Sequence, residues 1–384
     1  MGPALRFLTL RLALLALLAL LPQSLFALLN IDGTRNQIFV FGELDLAYDS
    51  NIFAQKDGGG DFITTGLLGT EYKRGAGTIA VDARATIAYE RYNTNTDRNA
   101  WNPSVSLELD RTTGRMTGSL TVSAIRASRA DSAINLRTST WDYPVDLTLK
   151  YPINEKFHAT STTDYLHRTY LDATALGLSN LTEYSEGVDL FRVYTSKLDL
   201  LAGYRVRWSD TTAGRTTDHN FSVGATGGLL PKLNGLVRFG YQFRNVDATT
   251  STTTAESFSN VSALAQLTWN ATRKFVMVGR LSRDFDTTAN TISVDSMAAN
   301  LHANYIITRR YQVDGGIGYG RNHFLNQSER GRQDDYFTWD AGITYTTGDK
   351  FKISLTYVYL QNWSTLDLSD FTRNSVTLAI SSRF

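Results

Sequence analysis

The chain has 384 residues, no cysteine and only 6 prolines, and its 38 basic residues nearly balance its 37 acidic residues. The absence of cysteine excludes a disulfide framework and a thiolate-metal site, and the balanced charge gives no indication of a nucleic-acid partner. The mean hydropathy of -0.22 excludes a polytopic helical membrane protein but is compatible with a membrane β-barrel, whose inward face is polar.

The N-terminal segment has the pattern of a secretory signal. Two arginines supply positive charge, an unbroken run of Leu and Ala extends over residues 12–21, and Pro22 ends it. The run is too short to span a membrane as a helix, although a membrane anchor is the alternative. We therefore predict a cleaved signal peptide over residues 1–27, a short N-terminal lead over residues 28–36, and one β-barrel over residues 37–384.

Alternation of apolar and polar residues begins near Gln37 and continues to the end of the chain. In residues 79–90, apolar or small side chains at odd positions alternate with even positions that include Asp82, Arg84 and Glu90. A period of two indicates a strand with one apolar face. The pattern predicts about 18 strands, over residues 37–48, 62–72, 79–90, 101–111, 116–128, 140–151, 157–171, 182–195, 198–209, 216–229, 235–246, 257–269, 275–285, 292–307, 311–324, 335–346, 351–363 and 371–384.

The connections between these strands alternate in length. One set is short, over residues 73–77, 112–115, 196–197, 270–274, 308–310 and 347–350. The other set is longer and polar, over residues 49–61, 130–139, 172–181, 247–255 and 325–334. Short periplasmic turns and longer outer loops are typical of outer-membrane barrels. We predict an all-β, antiparallel up-and-down transmembrane barrel of about 18 strands, with 16 as the alternative and both termini on the periplasmic side.

Aromatic residues collect near strand ends on the apolar face. They are Tyr48, Tyr72, Tyr89, Tyr151, Trp208, Trp269, Tyr305, Tyr311, Tyr319, Tyr345, Phe351 and Trp363. Aromatic rings with a polar tip favour the lipid headgroup zone, so these positions predict two girdles. The alternative is the ordinary preference of aromatic residues for strands.

The last predicted strand, Phe371–Phe384, alternates up to the final residue. Val376, Leu378, Ile380 and Phe384 share its apolar face. This ending resembles bacterial outer-membrane β-barrel proteins, many of which use a strand with a terminal Phe as their assembly signal, although Ser382 departs from the usual pattern. The resemblance implies an outer-membrane location among lipid and lipopolysaccharide, with the barrel-assembly machinery as a partner.

A second resemblance lies where the first strand meets the first loop. The motif consists of Tyr48, Asp49, Ser50, Asn51, Ile52 and Phe53. It resembles a family of bacterial outer-membrane β-barrel porins, of the beta-barrel porin 2 type, associated with exopolysaccharide and capsule gene clusters. Membership would imply a conduit for polysaccharide and a periplasmic polysaccharide-export protein as partner. The local alternative is turn chemistry, with Ile52 and Phe53 anchoring the loop on the rim.

Charged residues on the opposite face of the strands predict a water-lined interior. The lumen-facing candidates are Asp82, Arg84, Asp199, Arg205, Arg207, Arg238, Arg244, Arg280 and Asp314. Because both signs are mixed, we expect no strong ion selectivity, and Arg–Asp pairs could equally be structural struts. With no plug domain and no long loop, we expect a fairly open bore.

Catalytic and cofactor motifs are not recognisable. None of the five histidines has metal-ligand spacing, and the glycine-rich segment Gly315–Gly320 lies in an alternating strand with no helix after it. We interpret these glycines as small inward residues or a strand bend. Acids such as Asp131, Asp284 and Asp334 are interpreted as solvated loop residues, with a hard-cation site at the rim as the alternative. The sequence predicts no enzyme, cofactor or metal.

The predicted function is therefore passage of a polar solute or polymer through an outer-membrane barrel. The family resemblance narrows this to polysaccharide export. A general diffusion porin and a structural or adhesive barrel without transport are the alternatives.

Overall fold

The computed structural model describes residues 29–30, 36–75, 77–171, 173–212, 214–247, 255–325, 331–348 and 350–384. The predicted signal peptide and most of the N-terminal lead lie outside these residues. Within the described ranges, no helix is both long and apolar enough to cross a membrane.

The described chain forms one closed antiparallel β-barrel of 18 strands, which confirms the predicted fold. The strands are β1 (Asn36–Asp49), β2 (Asp61–Arg74), β3 (Ala80–Tyr92), β4 (Ala100–Arg111), β5 (Thr117–Asp131), β6 (Leu136–Pro152), β7 (Phe157–Tyr170), β8 (Leu181–Thr195), β9 (Leu198–Thr211), β10 (Gly214–Leu230), β11 (Leu233–Val246), β12 (Glu256–Trp269), β13 (Phe275–Thr287), β14 (Ser293–Ile306), β15 (Tyr311–Phe324), β16 (Gln333–Thr347), β17 (Phe351–Ser364) and β18 (Phe371–Arg383). A four-residue helix, Ala173–Leu176, lies between β7 and β8.

Closure is made by pairing the last strand with the first. The register runs from Ser375 opposite Asp49 to Arg383 opposite Phe41. Beyond it, Phe384 and Val40 exchange backbone hydrogen bonds of 2.8 and 3.0 Å. The residues Leu29–Asn30 pair with the start of β1, next to this seam. The C-terminal strand therefore seals the barrel, and no strand edge remains open at the seam.

The register sorts side chains onto two faces, because directly opposed residues share a face. All twelve predicted girdle aromatics lie on the face that carries the exposed apolar side chains. Cross-strand contacts follow both ends: Tyr48 and Phe62 lie 4.9 Å apart between ring centroids at the outer end, and Tyr311 and Tyr345 lie 5.0 Å apart at the periplasmic end. Such rings match two membrane interfaces.

The predicted loop over residues 130–139 is wrong in length. Strands β5 and β6 remain paired up to Asp131 and Leu136, so only residues 132–135 connect them. The hydrophilic composition of this stretch suggested a loop, but Thr138 and Thr140 are buried polar residues of a paired strand at the outer end. Strand pairing satisfies the backbone hydrogen bonds of polar residues as fully as those of apolar residues, so a hydrophilic stretch can continue a strand.

One seam of the barrel is incomplete at its outer end. Strand β13 pairs with β12 only from Met277 to Arg283, opposite Ala263–Trp269. The outer half of β12 pairs with β11 alone, and the outer end of β13 pairs with β14 alone. The last residues of β13, Asp284–Thr287, are thereby released from the wall. We call them the β13 tip.

Candidate functional site

The released tip of β13 lies inside the barrel against β9 and β11. Arg205 Nη2 on β9 donates to Asp284 Oδ2 at 2.6 Å, and Arg207 Nη2 donates to the carbonyl oxygen of Phe285 at 2.5 Å. From β11, Arg244 Nη1 donates to the carbonyl oxygen of Asp286 at 2.6 Å. Because β12 separates β11 from β13 in the wall, these contacts are made across the interior. The tip of β13 therefore narrows the outer mouth.

Asp218 on β10 holds the two buried arginines beneath this tip. Arg244 donates to it through Nε at 2.7 Å and Nη2 at 2.8 Å, and Arg207 Nη2 donates at 2.6 Å. The side chain of Arg244 is 0% exposed, and its guanidinium lies 5.1 Å from the ring centre of the buried Phe285. Paired, hydrogen-bonded charges of this kind tolerate burial, whereas an unpaired one would not.

The outer connections also contact one another across the mouth. The backbone amide of Ser179, between β7 and β8, donates to the carbonyl oxygen of Ala289, between β13 and β14, at 2.8 Å. The hydroxyl of Ser179 accepts hydrogen bonds from the backbone and side chain of Thr212, both at 2.8 Å. Two neighbouring connections and the distant β13–β14 connection are thus joined at one residue.

A second bridge joins nearly opposite sides of the mouth. Arg332, at the start of β16, donates to the carbonyl oxygen of Ala133 at 2.9 Å and pairs with Asp334 at 2.8 Å. Ala133 packs on a small apolar cluster of Ile292, Val294 and Phe324. Burial of these side chains draws the β5–β6 connection onto β14 and β15.

The six-residue motif is built into this mouth at the barrel seam. Asp49 is 3% exposed, accepts two guanidinium hydrogen bonds from Arg373 of β18, at 2.6 Å for Nη2, and accepts the backbone amide of Asn51 at 3.0 Å. Ser50 exchanges hydrogen bonds with Asn374 through its backbone amide and its hydroxyl. Tyr48 faces outward, whereas Asp49 and the residues after it turn inward.

The rest of the motif reaches the connection between β5 and β6. Ile52 is 0% exposed, and its carbonyl oxygen accepts Arg137 Nη1 at 3.3 Å. Asn135 Nδ2 donates to the carbonyl oxygen of Ala54 at 2.8 Å. The ring of Phe53 lies 5.5 Å from the guanidinium of Arg98. The motif therefore turns the first outer connection into the lumen as well as anchoring it to the rim.

These contacts overturn the expectation of a fairly open bore at the outer end. We define the mouth plug as the β13 tip with residues 50–60, 132–135, 177–180, 288–292 and 331–332. The loops are short, as predicted, but the inward lean of β13 lets short loops meet. Acids predicted to be solvated are instead paired: Asp284 with Arg205, and Asp334, 2% exposed, with Arg332.

Below the plug, the register places all nine predicted lumen residues on the inward face. Arg238 pairs with Asp189 at 2.6 Å, Asp82 pairs with Lys73 at 3.2 Å, and the guanidinium of Arg84 lies 4.5 Å from the ring centre of Phe41. Asp199 lies 3.8 Å from His158 in a recess of about 530 Å³. Arg280 lies opposite Gln266 and Asn300. Asp314 lies near His302 and Asp340.

The remaining charge of the wall is mainly acidic. We define the acidic wall as six inward carboxylates of β1–β7 that make no ion pair with a described lysine or arginine: Glu43, Asp45, Glu108, Asp110, Asp146 and Asp164. Asp61 and Asp131, at the outer end, also make no such ion pair, but they accept backbone hydrogen bonds from the outer connections. In contrast, four of the predicted inward arginines on β9 and β11 are held by aspartates. The acidic wall outnumbers the inward basic side chains of the described strands for which no ion pair is seen, Arg84, Lys150, Arg280 and Lys352, so we expect the field in the lumen to favour cations.

Comparisons with known proteins agree with this architecture. OpdK from Pseudomonas aeruginosa, an outer membrane protein, aligns over 90% of this chain and 99% of its own at 9% identity and a TM-score of 0.52. OccK2 (OpdF) from the same organism, solved with glucuronate, aligns over 91% and 98% at 9% identity with the same TM-score of 0.52. The fold is that of an outer-membrane porin.

The family comparison supports the same conclusion from sequence. Residues 204–384 match the family model described as "Putative beta-barrel porin 2", which confirms the predicted resemblance. The closing strand lies inside the matched range, whereas the motif at Tyr48–Phe53 lies outside it. The chain spans 64% of the length of the FrpB iron transporter from Neisseria meningitidis, which aligns at 12% identity and a TM-score of 0.48. No curated protein matched the chain.

Two features of this barrel were not found from the sequence. The mouth plug depends on contacts between residues that are far apart in the chain, such as Ser179 and Ala289. The grouping of His302, Asp314 and Asp340 depends on the register of three strands. The glycine-rich segment was the available signal for the second, since Gly316 lies directly opposite both His302 and Asp340.

Proposed function

We propose that this protein is a gated channel that carries small polar solutes, neutral or cationic, across the outer membrane. The observation that carries the proposal is the combination of a polar, charge-lined interior with a mouth plug made of separable contacts. Below the plug, several polar groups at different depths offer weak contacts to a solute. Weak multi-site binding lets a solute enter and leave easily.

Opening the channel requires release of the β13 tip. The tip is held by Arg205, Arg207 and Arg244, and two of its three anchoring contacts are to backbone carbonyls. Hydrogen bonds to charged donors are worth about 1.5–3 kcal/mol each, so a few of them hold a closed state that thermal motion can still open. Asp284 is the one side-chain anchor on the tip that accepts an arginine of β9.

The test is solute flux into liposomes that contain the full-length protein. Asp284→Asn removes the charge that holds Arg205 and should raise the entry rate of lysine about tenfold for each 1.4 kcal/mol of closing energy lost. Lysine should enter faster than glutamate in both proteins because of the acidic wall. Asp210→Asn makes the same chemical change at an exposed ion pair with Arg215 outside the lumen and should leave the rate unchanged. An inert wild type together with an inert Asp284→Asn barrel would contradict the proposal.

A second candidate function is export of an exopolysaccharide, a polymer and not a small solute, which would move outward with a periplasmic export protein. Its support is the family resemblance together with the plug, because an export channel must be shut when its partner is absent. Glycosyltransferase genes and a periplasmic export gene beside this one would support it, and their absence would favour a generic porin. If the barrel is purely structural or adhesive, the lumen substitution Arg207→Glu should leave its function unchanged.

A further inference from the structure

Three side chains from neighbouring strands converge on the lumen wall in its periplasmic half. His302 on β14, Asp314 on β15 and Asp340 on β16 each offer a donor atom within 4.8 Å of the others. His302 Nδ1 lies 3.6 Å from Asp340 Oδ2. Gly316 is opposite His302 on one side and Asp340 on the other, so all three project from the same inward face.

Two glycines make room for this cluster. A Cβ atom on Gly316 would lie 2.6 Å from Asp340 Oδ1 and 2.9 Å from His302 Nδ1. A Cβ atom on Gly342 would lie 2.7 Å from Asp314 Oδ2. Glycine within a strand costs about 0.5–1 kcal/mol relative to alanine. The donors lie over the backbone at positions where a side chain of any other residue would displace them.

The cluster also carries uncompensated negative charge. Among the ion pairs of the described residues, Asp340 has only His302 as a partner and Asp314 has none. The carboxylates at the plug differ, because Asp284 and Asp334 each have an arginine. Two neighbouring carboxylates repel each other, and a cation placed between them removes that repulsion.

We propose that His302, Asp314 and Asp340 form a binding site for a divalent first-row transition metal, with Zn²⁺ as the probe. One imidazole nitrogen and two carboxylate oxygens are suitable ligands at about 2.0–2.2 Å, and water completes the coordination. His302 is 48% and Asp340 34% exposed at the side chain, which leaves them free to move about 1 Å onto an ion. The bound ion adds positive charge to the lumen wall.

Isothermal titration of the full-length barrel in detergent with zinc chloride tests the site. The wild type should bind one zinc ion, and His302→Ala and Asp314→Asn should each weaken binding by about tenfold or more. Gly316→Ala keeps every donor but places a methyl group among them, so it should also weaken binding. His158→Ala is the matched control, because His158 lies 3.8 Å from Asp199 outside any described group of three ligands.

Heat-modifiable gel migration of each variant establishes that the barrel is folded. A folded wild type that takes up no zinc would overturn the proposal, as would zinc affinity that survives both His302→Ala and Asp314→Asn. Because the titration needs no open channel, its outcome is independent of the proposed solute flux.

Discussion

At the residue scale, Arg244 shows how charge is buried at the mouth. Its side chain is fully buried, forms two hydrogen bonds with Asp218 and donates a third to the carbonyl oxygen of Asp286. The alternation of the strand predicts that Arg244 points inward. It does not predict the partner, because Asp218 is on the neighbouring strand and Asp286 on one beyond β12. The face of the strand on which a side chain lies follows from local alternation in the sequence. Its ion-pair partner depends on how distant strands are arranged in the barrel.

Arg244→Leu should therefore lower the free energy of unfolding by about 3 kcal/mol, because it leaves Asp218 with only Arg207 in a buried site. Urea titration in lipid, followed by tryptophan fluorescence, measures the change. Arg215→Leu is the control, since Arg215 and its partner Asp210 are 56% and 47% exposed at the side chain. Its effect should stay within about 0.5 kcal/mol. Equal effects of the two substitutions would show that burial of Arg244 contributes nothing.

The surroundings of the glycine-rich segment were also predictable only in part. The sequence indicates that Gly316 is a small inward residue or a bend, and the side chains of two neighbouring strands do lie over it. What could not be read from the sequence is that those side chains are a histidine and an aspartate. Register relates residues 302, 316 and 340 only after three strands have paired.

At the element scale, strand number and closure were predictable, but the position of one strand was not. Residues 275–285 were predicted as an ordinary wall strand, and β13 indeed begins at Phe275. Its last residues leave the wall, and arginines of β9 and β11 contact them in place of the β12 ladder. No local pattern distinguishes Asp284–Thr287 from a wall strand, since the competing contacts come from arginines far away in the chain.

The closing strand supports a prediction about assembly. Phe384 is joined to Val40 of β1 by two backbone hydrogen bonds, and Lys350 lies 5.5 Å from its ring centre. Deletion of Phe384 should reduce the amount of folded barrel in the outer membrane more than it alters conduction by the barrels that do insert. Quantitative heat-modifiable gels of membrane fractions measure the first effect.

Phe384→Tyr retains an aromatic ring at the terminus and serves as the control. It should insert at the wild-type level. Normal insertion of the deletion variant would remove the assembly-signal interpretation of Val376, Leu378, Ile380 and Phe384, although the pairing of β18 with β1 would stand.

At the scale of the whole molecule, the barrel and its two faces follow from alternation, whereas the closed mouth follows from packing. Lipid stabilises the apolar face and water stabilises the polar face of every strand, so alternation in the sequence is enough to predict both faces. The plug depends on a few specific contacts between connections that are distant in the chain, such as Arg332 with Ala133 and Asn135 with Ala54. The prediction of an open bore was based on loop length alone, and the length of a loop does not determine the direction in which the loop points.

We propose that contacts across the outer mouth close a barrel that can otherwise conduct. The chain has no cysteine, so Ser179→Cys/Ala289→Cys introduces the only disulfide, at a backbone contact of 2.8 Å between two connections of the plug. Asn245→Cys/Ser257→Cys is the control, because it links residues already paired in adjacent strands.

Single-channel conductance in a planar bilayer is recorded before and after reduction. We expect that the barrel with the oxidised plug pair stays shut, that reduction restores openings, and that the barrel with the control pair opens in both states. Openings of equal size and frequency in the oxidised and reduced plug pair would contradict it.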